Sequence, residues 1–137
     1  MQQRYTLTRE DAMKAVAAVE AELDKNGEGG AIAVVDDHGE LIAFVRRDGC
    51  PYTSIYIAIN KAYTAARERK PSADVGKASR EKGFPMTNFG ELRFVSWGGG
   101  IPIKHEGVVI GAVGVSGLPE ERDIEVATLG ALAVSAG

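Results

Sequence analysis

The sequence predicts an α+β fold in which helices flank an antiparallel sheet. Its 137 residues divide into predicted elements in the order α-β-β-α-α-β-β-β-α. Tight turns join neighbouring strands, so those strands are expected to pair antiparallel. The first two strand segments are apolar almost throughout, which indicates that both faces of the sheet are covered. A chain of this length is expected to form one domain, residues 1–137.

The first helix is predicted from about Thr8 to Asn26. Thr8 can accept a hydrogen bond from the amide of Asp11, and acidic residues favour the positive end of a helix dipole. The sequence Lys25-Asn26-Gly27 then ends the helix. Apolar residues recur at helical spacing and form one stripe, at Ala12, Val16, Val19 and Leu23.

The next elements are a hairpin and two helices. The apolar segments Ala31–Val35 and Leu41–Val45 are separated by an acidic turn that ends in Gly39, which predicts a β-hairpin. The stretch from Tyr52 to Arg69 contains no Gly or Pro and shows helical spacing, so it predicts a long helix. Ser72 begins a shorter helix that reaches about Lys82.

The last third of the chain predicts three strands and a helix. Glu91 to Trp97 is predicted to be a strand, ended by Gly98-Gly99-Gly100. Ile101–Ile103 and Val108–Ser116 predict a second hairpin, and Glu120 to Val134 a closing helix. The five strands together predict a five-stranded sheet.

Composition excludes several classes of protein. The net charge of -3 and a pI near 5.4 argue against a nucleic-acid partner. Cys50 is the only cysteine, so neither an intramolecular disulfide nor a cysteine metal cluster can form. There is no apolar signal-peptide core, and no run reaches the roughly 18 apolar residues of a membrane span. We therefore expect a cytoplasmic protein without membrane contact.

Glycine is unusually frequent, with 17 residues. Most of them fall at predicted turns, where a positive φ angle is common. Gly111 and Gly114 instead interrupt a predicted strand. A glycine inside a strand indicates a bulge or the close approach of a helix, a ligand or a second subunit.

Five sequence blocks occur in order along the chain. They are Val34-Val35-Asp36 with Gly39, Arg46 with Asp48-Gly49, Ile59 to Ala65, Gly99 to Ile103, and Gly111 to Gly117 with Asp123. Together they resemble the GlcG/HbpS-like family, which also supplies the C-terminal domain of PduO-type corrinoid adenosyltransferases. The resemblance covers roughly residues 8 to 135.

The resemblance implies a five-stranded antiparallel sheet flanked by helices and a homo-oligomer, commonly a tetramer or octamer. It also implies a link to haem or another tetrapyrrole in some members. Haem-binding relatives can use a histidine on the first helix as axial ligand, and Thr8 to Asn26 contains none. The cofactor is therefore left open, and the other candidate ligands are His38, His105, Met13 and Tyr63.

No separate metal site is predicted. Asp36, Asp37 and His38 are adjacent, but adjacent side chains diverge and cannot enclose a metal ion by themselves. Both histidines fall in predicted turns, where a surface position is the simpler interpretation.

Lys61 is the first candidate for chemistry. It lies on an otherwise apolar helix beside Ala58, Ile59 and Ala62, where partial desolvation would lower its pKa. Such a lysine can act as a base, a nucleophile or an anchor for an anion. The structural alternative is that Lys61 pairs with Asp36 or Asp48 and attaches the helix to the sheet.

Arg46 and Arg47 are candidates for binding an anion. Neighbouring strand residues point to opposite faces, so one of the two is expected to face the interior or a subunit interface. In the family that the chain resembles, a hydrophobic residue, usually Met, often occupies the position of Arg47. If Arg47 lines a pocket, the ligand is expected to be anionic; the alternative is a solvated charge at a strand end.

Trp97, Gly99 and Gly100 are candidates for ligand contact. Consecutive glycines let the backbone approach a ligand, and their amides can surround an anion. Trp97 can stack on a planar ligand. A tight chain reversal and simple packing are the structural alternatives. The segment is not a phosphate-binding motif, because the lysine and the spacing of such motifs are missing.

Two functions remain open at this point. The first is a small-molecule-binding homo-oligomer of the resembling family, whose ligand is haem, a corrinoid or another planar molecule. The second is a cofactor-free lyase, isomerase or hydrolase that acts on a small carboxylated metabolite. In this enzyme Arg46 or Arg47 would hold the acid, and Lys61 or Asp36 would transfer the proton. The match of all five sequence blocks to the family favours the small-molecule-binding protein.

Overall fold

The computed structural model describes residues 1–135. The described part contains four helices, four strands and one short 3₁₀ helix at Met86–Phe89. The helices and strands, in chain order, are α1 (Arg9–Asp24), β1 (Ala31–Asp36), β2 (Leu41–Arg46), α2 (Ser54–Glu68), α3 (Ser72–Lys82), β3 (Gly100–His105), β4 (Val108–Ser116) and α4 (Glu120–Ser135).

The strands form one antiparallel sheet in the order β2-β1-β4-β3. Both predicted hairpins are confirmed, since β1 pairs with β2 and β3 pairs with β4. The central pair is β1 and β4, and Ala33 lies opposite Gly114 in that register. The first five residues of β1 are fully buried, as expected for a strand covered on both faces.

The expected fifth strand is absent from residues 1–135, so the prediction of a five-stranded sheet was wrong. Residues 91–97 form turns and irregular backbone instead. Their backbone groups bond to side chains rather than to a neighbouring strand: the amide of Val95 donates to Oγ1 of Thr64 at 3.0 Å. The carbonyl of Trp97 likewise accepts from Oγ of Ser72 at 2.8 Å. Apolar residues alone do not make a strand when side chains satisfy its backbone.

The four predicted helices are present: α1 and α2 are slightly shorter than predicted, α3 has the predicted limits, and α4 extends one residue further. Thr8 caps α1 as expected, with its Oγ1 accepting from the amide of Asp11 at 3.1 Å. The helix α2 begins at Ser54, inside the predicted stretch, and Thr53 is its N-cap residue. It ends before Arg69, whose positive φ of 58° breaks the helical hydrogen-bond pattern. None of the helices within residues 1–135 is long and apolar enough to cross a membrane.

The two faces of the sheet have different cores. The helices α1 and α4 cover one face, where helices and strands together contribute large aliphatic side chains, among them Leu23, Ile32, Ile103, Val113 and Val126. The helix α2 covers the other face, where helix and strands contribute mainly small residues: Ala31, Ala33, Ala58, Ala62, Ala65, Ala66 and Ala112. The helix α3 packs against α2 and the edge strand β3.

Glycines in β3 and β4 allow α2 to approach the sheet closely. A methyl group at Gly114 would collide with the carbonyl oxygen of Ala58, and one at Gly100 would collide with that of Lys61. The prediction that Gly114 marks a close approach is therefore confirmed, and the approaching element is α2. This contact brings the side chain of Lys61 next to the end of β4.

Candidate functional site

A cavity of about 570 Å³ lies where the first turns of α2 and α4 meet the end of β4. Four of its lining residues belong to α2 or its cap, three follow one another at the end of β4, two lie on α4, and one precedes β3. In that order they are Thr53, Ser54, Ile57, Lys61, Ser116, Gly117, Leu118, Glu120, Asp123 and Trp97.

The α2 wall of the cavity is one helical stripe. Ser54, Ile57 and Lys61 are spaced by three and four residues, so they lie on the same face of the helix. Helical side chains lean toward the N-terminus, which directs the ammonium of Lys61 back along this stripe toward the first turn. This helical spacing was a signal in the sequence for a cavity wall.

Lys61 and Asp123 form a buried ion pair at the cavity. Nζ of Lys61 lies 3.0 Å from Oδ2 of Asp123 and donates to the carbonyl oxygen of Val115, also at 3.0 Å. The two residues are each only 3% exposed. An ammonium has three N–H donors, and these two acceptors are the ones it reaches within residues 1–135. The third N–H of the ammonium has no acceptor within residues 1–135.

The carboxyl group of Asp123 connects this pair to the start of α4. Its Oδ1 accepts a hydrogen bond from the amide of Leu118 at 3.2 Å. Burial raises the pKa of the Asp123 carboxyl, and the attraction of the Lys61 ammonium opposes that rise. The pair therefore joins α2, β4 and α4 through one desolvated charge contact.

Gly99 lies against the Lys61 side chain. A methyl group there would lie 2.9 Å from Nζ of Lys61 and 2.6 Å from the carbonyl oxygen of Val115. The φ of Gly99 is 124°, which L side chains rarely adopt. Gly99 and Gly100 thus leave room for the buried lysine, and neither is among the residues that line the cavity.

Trp97 forms the outer wall of the cavity and is the only tryptophan in the chain. Trp97 is 58% exposed, so much of its surface is open to solvent. The next residue, Gly98, donates its amide hydrogen to Oε2 of Glu120 at 2.6 Å. The structure therefore brings two of the predicted residues, Lys61 and Trp97, to one cavity.

The predicted arginines lie on a different surface. Nη2 of Arg47 donates to Oδ1 of Asp24 at 2.7 Å, and its Nε donates to the carbonyl oxygen of Glu28 at 2.9 Å. Arg46 is exposed at the end of β2. Neither arginine lines the Lys61 cavity, so the structure does not place an arginine anion clamp beside the lysine.

Asp36 also lies apart from Lys61. Its Oδ1 accepts the amide hydrogens of His38 at 2.9 Å and Glu40 at 3.0 Å, which closes the turn between β1 and β2. The expectation that Lys61 pairs with Asp36 or Asp48 was wrong, since its partner is Asp123. Asp123 is 62 residues away from Lys61 along the chain, and local spacing carried no sign of that pairing.

The side chains considered for haem ligation are scattered. Nε2 of His38 lies 2.8 Å from Nη1 of Arg4, and His105 packs edge-on against Tyr5. Tyr63 is 2% exposed beneath Arg93, and Met13 lies on α1. None of the four candidates lines the Lys61 cavity.

The cavity therefore does not fit a haem that is held by an iron–protein bond. No residue in its lining is a His, Cys, Met or Tyr, and the Lys61 nitrogen is committed to Asp123 and Val115. Among residues 1–135, no group of three or more His, Cys, Asp or Glu side chains could hold a metal ion.

The fold and the cavity define an α+β protein with one antiparallel sheet between helices and, at the first turns of α2 and α4, a pocket that combines apolar side chains with a buried ion pair. A family model described as "Haem degrading protein HbpS-like" matches residues 7–132. The chain belongs to the HbpS-like family, which confirms the resemblance seen in the sequence blocks.

Individual proteins support this assignment. Protein GlcG of Escherichia coli (strain K12) is 37% identical over 123 residues, which cover 85% of each chain. The crystal structure of Klebsiella pneumoniae protein ORFY superposes with a TM-score of 0.93 and 29% identity, covering 100% of this chain and 96% of ORFY. A double mutant of Streptomyces reticuli HbpS gives a TM-score of 0.86 and 30% identity, covering 96% of this chain and 88% of HbpS.

Proposed function

We propose that this chain is a small-molecule-binding protein whose ligand occupies the Lys61 cavity. The observation that carries the proposal is the Lys61 ammonium, which is 3% exposed yet lines an open cavity of about 570 Å³ with one donor to spare. A buried charge with remaining hydrogen-bonding capacity is costly unless a bound group or water satisfies it.

The side chains that line the cavity indicate what kind of ligand would fit. Ile57, Leu118 and Trp97 offer apolar surface, and Trp97 suits a flat ring. Lys61 offers a hydrogen-bond donor to an oxygen atom of the ligand, and the hydroxyl of Ser54 is a second polar contact on the same stripe. A flat organic molecule that carries an oxygen acceptor matches these groups.

Haem or another tetrapyrrole is the ligand class that the family description supports. The lining contains no axial ligand, so a macrocycle in this cavity would be held by packing against Trp97 and by polar contacts. On this proposal, iron contributes nothing to affinity.

The test is a parallel titration with haemin and metal-free protoporphyrin IX, followed by quenching of Trp97 fluorescence. We expect both compounds to bind, with dissociation constants that agree within about threefold because no iron–protein bond distinguishes them. Lys61→Met should weaken both, whereas Arg47→Met, on the other surface, serves as the control. Haemin that binds far more tightly, with a ligated spectrum lost in His38→Ala or His105→Ala, would place the site elsewhere. Absence of binding by both would exclude the tetrapyrrole class.

We further propose that the chain is a homo-oligomer, a tetramer or octamer. Tyr52 and Tyr56 are 83% and 74% exposed at the start of α2, and Leu129 and Leu132 are exposed on α4. Apolar side chains of this size on a surface favour subunit contacts. Light scattering coupled to gel filtration measures the mass, and a monomer at micromolar concentration would contradict the proposal.

A cofactor-free enzyme that acts on a small carboxylated metabolite is the second candidate. The observation that favours it is the 3.0 Å contact between Lys61 and Asp123 at the cavity, because such a pair can transfer a proton to or from a substrate. Lys61→Met should then abolish turnover of any substrate found. In this proposal Arg46, Arg47 and Asp36 have roles only if Arg46→Met, Arg47→Met or Asp36→Asn also lowers turnover.

A further inference from the structure

We propose that Ser72 and Glu120 are positioning residues that hold Trp97 over the Lys61 cavity. This inference rests on the proposed binding function, because it assigns how the outer wall of the same cavity is fixed. Residues 91–97 belong to no strand, so no sheet hydrogen bonds set the place of Trp97. The first main-chain bond to the sheet after Trp97 is at Gly99, whose carbonyl oxygen accepts from the amide of Val115 at 3.0 Å, and side chains bond to the backbone at Trp97 and Gly98 themselves.

Ser72 holds the segment from the buried side. It is 0% exposed, and its Oγ donates to the carbonyl oxygen of Trp97 while accepting the amide hydrogen of Gly100, both at 2.8 Å. One hydroxyl therefore bonds on either side of the glycine pair Gly98–Gly99. Removing it would leave a carbonyl and an amide without their partner in the interior.

Glu120 holds the segment from the solvent side. Its Oε2 accepts the amide hydrogen of Gly98 at 2.6 Å, directly after Trp97. Glu120 is exposed and lines the cavity mouth, so the same carboxylate connects the first residue of α4 to the tryptophan wall. A charged acceptor makes this a stronger bond than a neutral one.

The glycines between these two anchors are closely packed. A methyl group at Gly98 would lie 2.7 Å from Cδ1 of Ile124, and one at Gly99 would lie 2.9 Å from Nζ of Lys61. The segment thus has little room to shift inward. The open direction for Trp97 is outward, and the bond to Glu120 opposes that movement.

The test uses the single tryptophan as its own reporter in the ligand-free protein. Glu120→Ala should raise the accessibility of Trp97 to acrylamide quenching and shift its emission to longer wavelength. Glu120→Gln keeps an oxygen acceptor for the Gly98 amide and should restore most of the wild-type signal. Glu121→Ala, an equal charge loss at an exposed position outside the cavity lining, is the matched control.

The same variants should change binding of a flat probe. For protoporphyrin IX we expect about fivefold weaker binding in Glu120→Ala, which corresponds to the loss of one hydrogen bond of ordinary strength. Ser72→Ala should expose Trp97 further, and circular dichroism would check that the variant is folded. Unchanged quenching and emission in both Glu120→Ala and folded Ser72→Ala would overturn the positioning role. That outcome is separate from a failure of the binding proposal, because the fluorescence readout needs no ligand.

Discussion

The sheet contacts α2 through alanine and glycine on one face, whereas its other face meets α1 and α4 through leucine, isoleucine and valine. The α1–α4 face is a conventional aliphatic core, in which stability comes from the apolar area removed from water. On the α2 face the side chains are small, so the backbones of α2 and the sheet lie close together. This close packing lets Lys61 reach Val115 and Asp123. Both faces therefore stabilise the fold, and the α2 face in addition positions Lys61 at the candidate site.

The largest effect on stability is expected at the buried ion pair of Lys61 and Asp123, beside the α2 face. Lys61→Met leaves the buried Asp123 carboxylate without its partner, so the free energy of unfolding should fall by about 4 kcal/mol. Urea unfolding at neutral pH measures this loss. Lys77→Met, which removes an exposed lysine paired with Glu81, is the control and should change little. A loss as small as that of the control would mean that the pair contributes nothing to the folded state.

The next prediction compares a glycine on each face. Gly114→Ala should lower the free energy of unfolding by about 3 kcal/mol, since the new methyl meets the backbone of α2 at Ala58. At Gly130 in α4 the nearest backbone atom is the carbonyl oxygen of Ala15, at 3.3 Å, and the shorter contact of 2.8 Å is with Cγ2 of the Val19 side chain. Alanine also has a higher helix propensity than glycine, which offsets part of the cost. Gly130→Ala should therefore cost much less. Equal losses in thermal and urea unfolding would remove the distinction between the two faces.

Adjacent residues of β1 allow a finer comparison, because Ala33 faces α2 and Val34 faces α1 and α4. Ala33→Val should destabilise by about 2 kcal/mol through overpacking. Val34→Ala should destabilise by a similar amount, about 2 kcal/mol, through the cavity it leaves. Both positions are fully buried, so the two variants differ in whether volume is added or removed and not in exposure. If Ala33→Val were neutral or stabilising, the small-residue face would have spare volume.

The smallest effect concerns the cap of α1. Thr8→Ala should cost about 1 kcal/mol at neutral pH. The hydrogen bond from Thr8 lowers the pKa of Asp11 below its ordinary 3.8, so this stabilisation is present above that value and is lost as the pH falls through the lowered pKa. The difference between wild type and Thr8→Ala should therefore shrink in acid. A difference that stays constant across the acid range would show that the bond between the Thr8 hydroxyl and the Asp11 carboxylate contributes nothing to the cap.

Local patterns in the sequence predict much of the fold. The cap at Thr8, the turn before Gly39 and the apolar segments 31–35 and 108–116 each depend on neighbours within a few residues, and the structure confirms them. Residues 91–97 carry strand-like composition, but Thr64 and Ser72 bond to their backbone at Val95 and Trp97, and no local pattern reveals those contacts.

Local patterns in the sequence predict only part of the candidate site. Lys61 and Trp97 stand out as a charge on an apolar helix and a lone indole beside glycines, and the structure brings both to one cavity. Asp123 stands out less, because an acid in the first turn of a helix is ordinary and its partner lies 62 residues away. Arg47 does not lie near Lys61, because it bonds to Asp24 and Glu28 on another surface.

The Lys61 contacts also bear on how the chain folds. Nζ of Lys61 joins atoms of residues 61, 115 and 123, so its hydrogen bonds can form only after α2, β4 and the start of α4 have come together. Loop-closure entropy has to be offset before contacts of such long sequence separation stabilise the chain, so we expect these bonds to be incomplete in the folding transition state. Variants of Lys61 should then accelerate unfolding more than they slow folding.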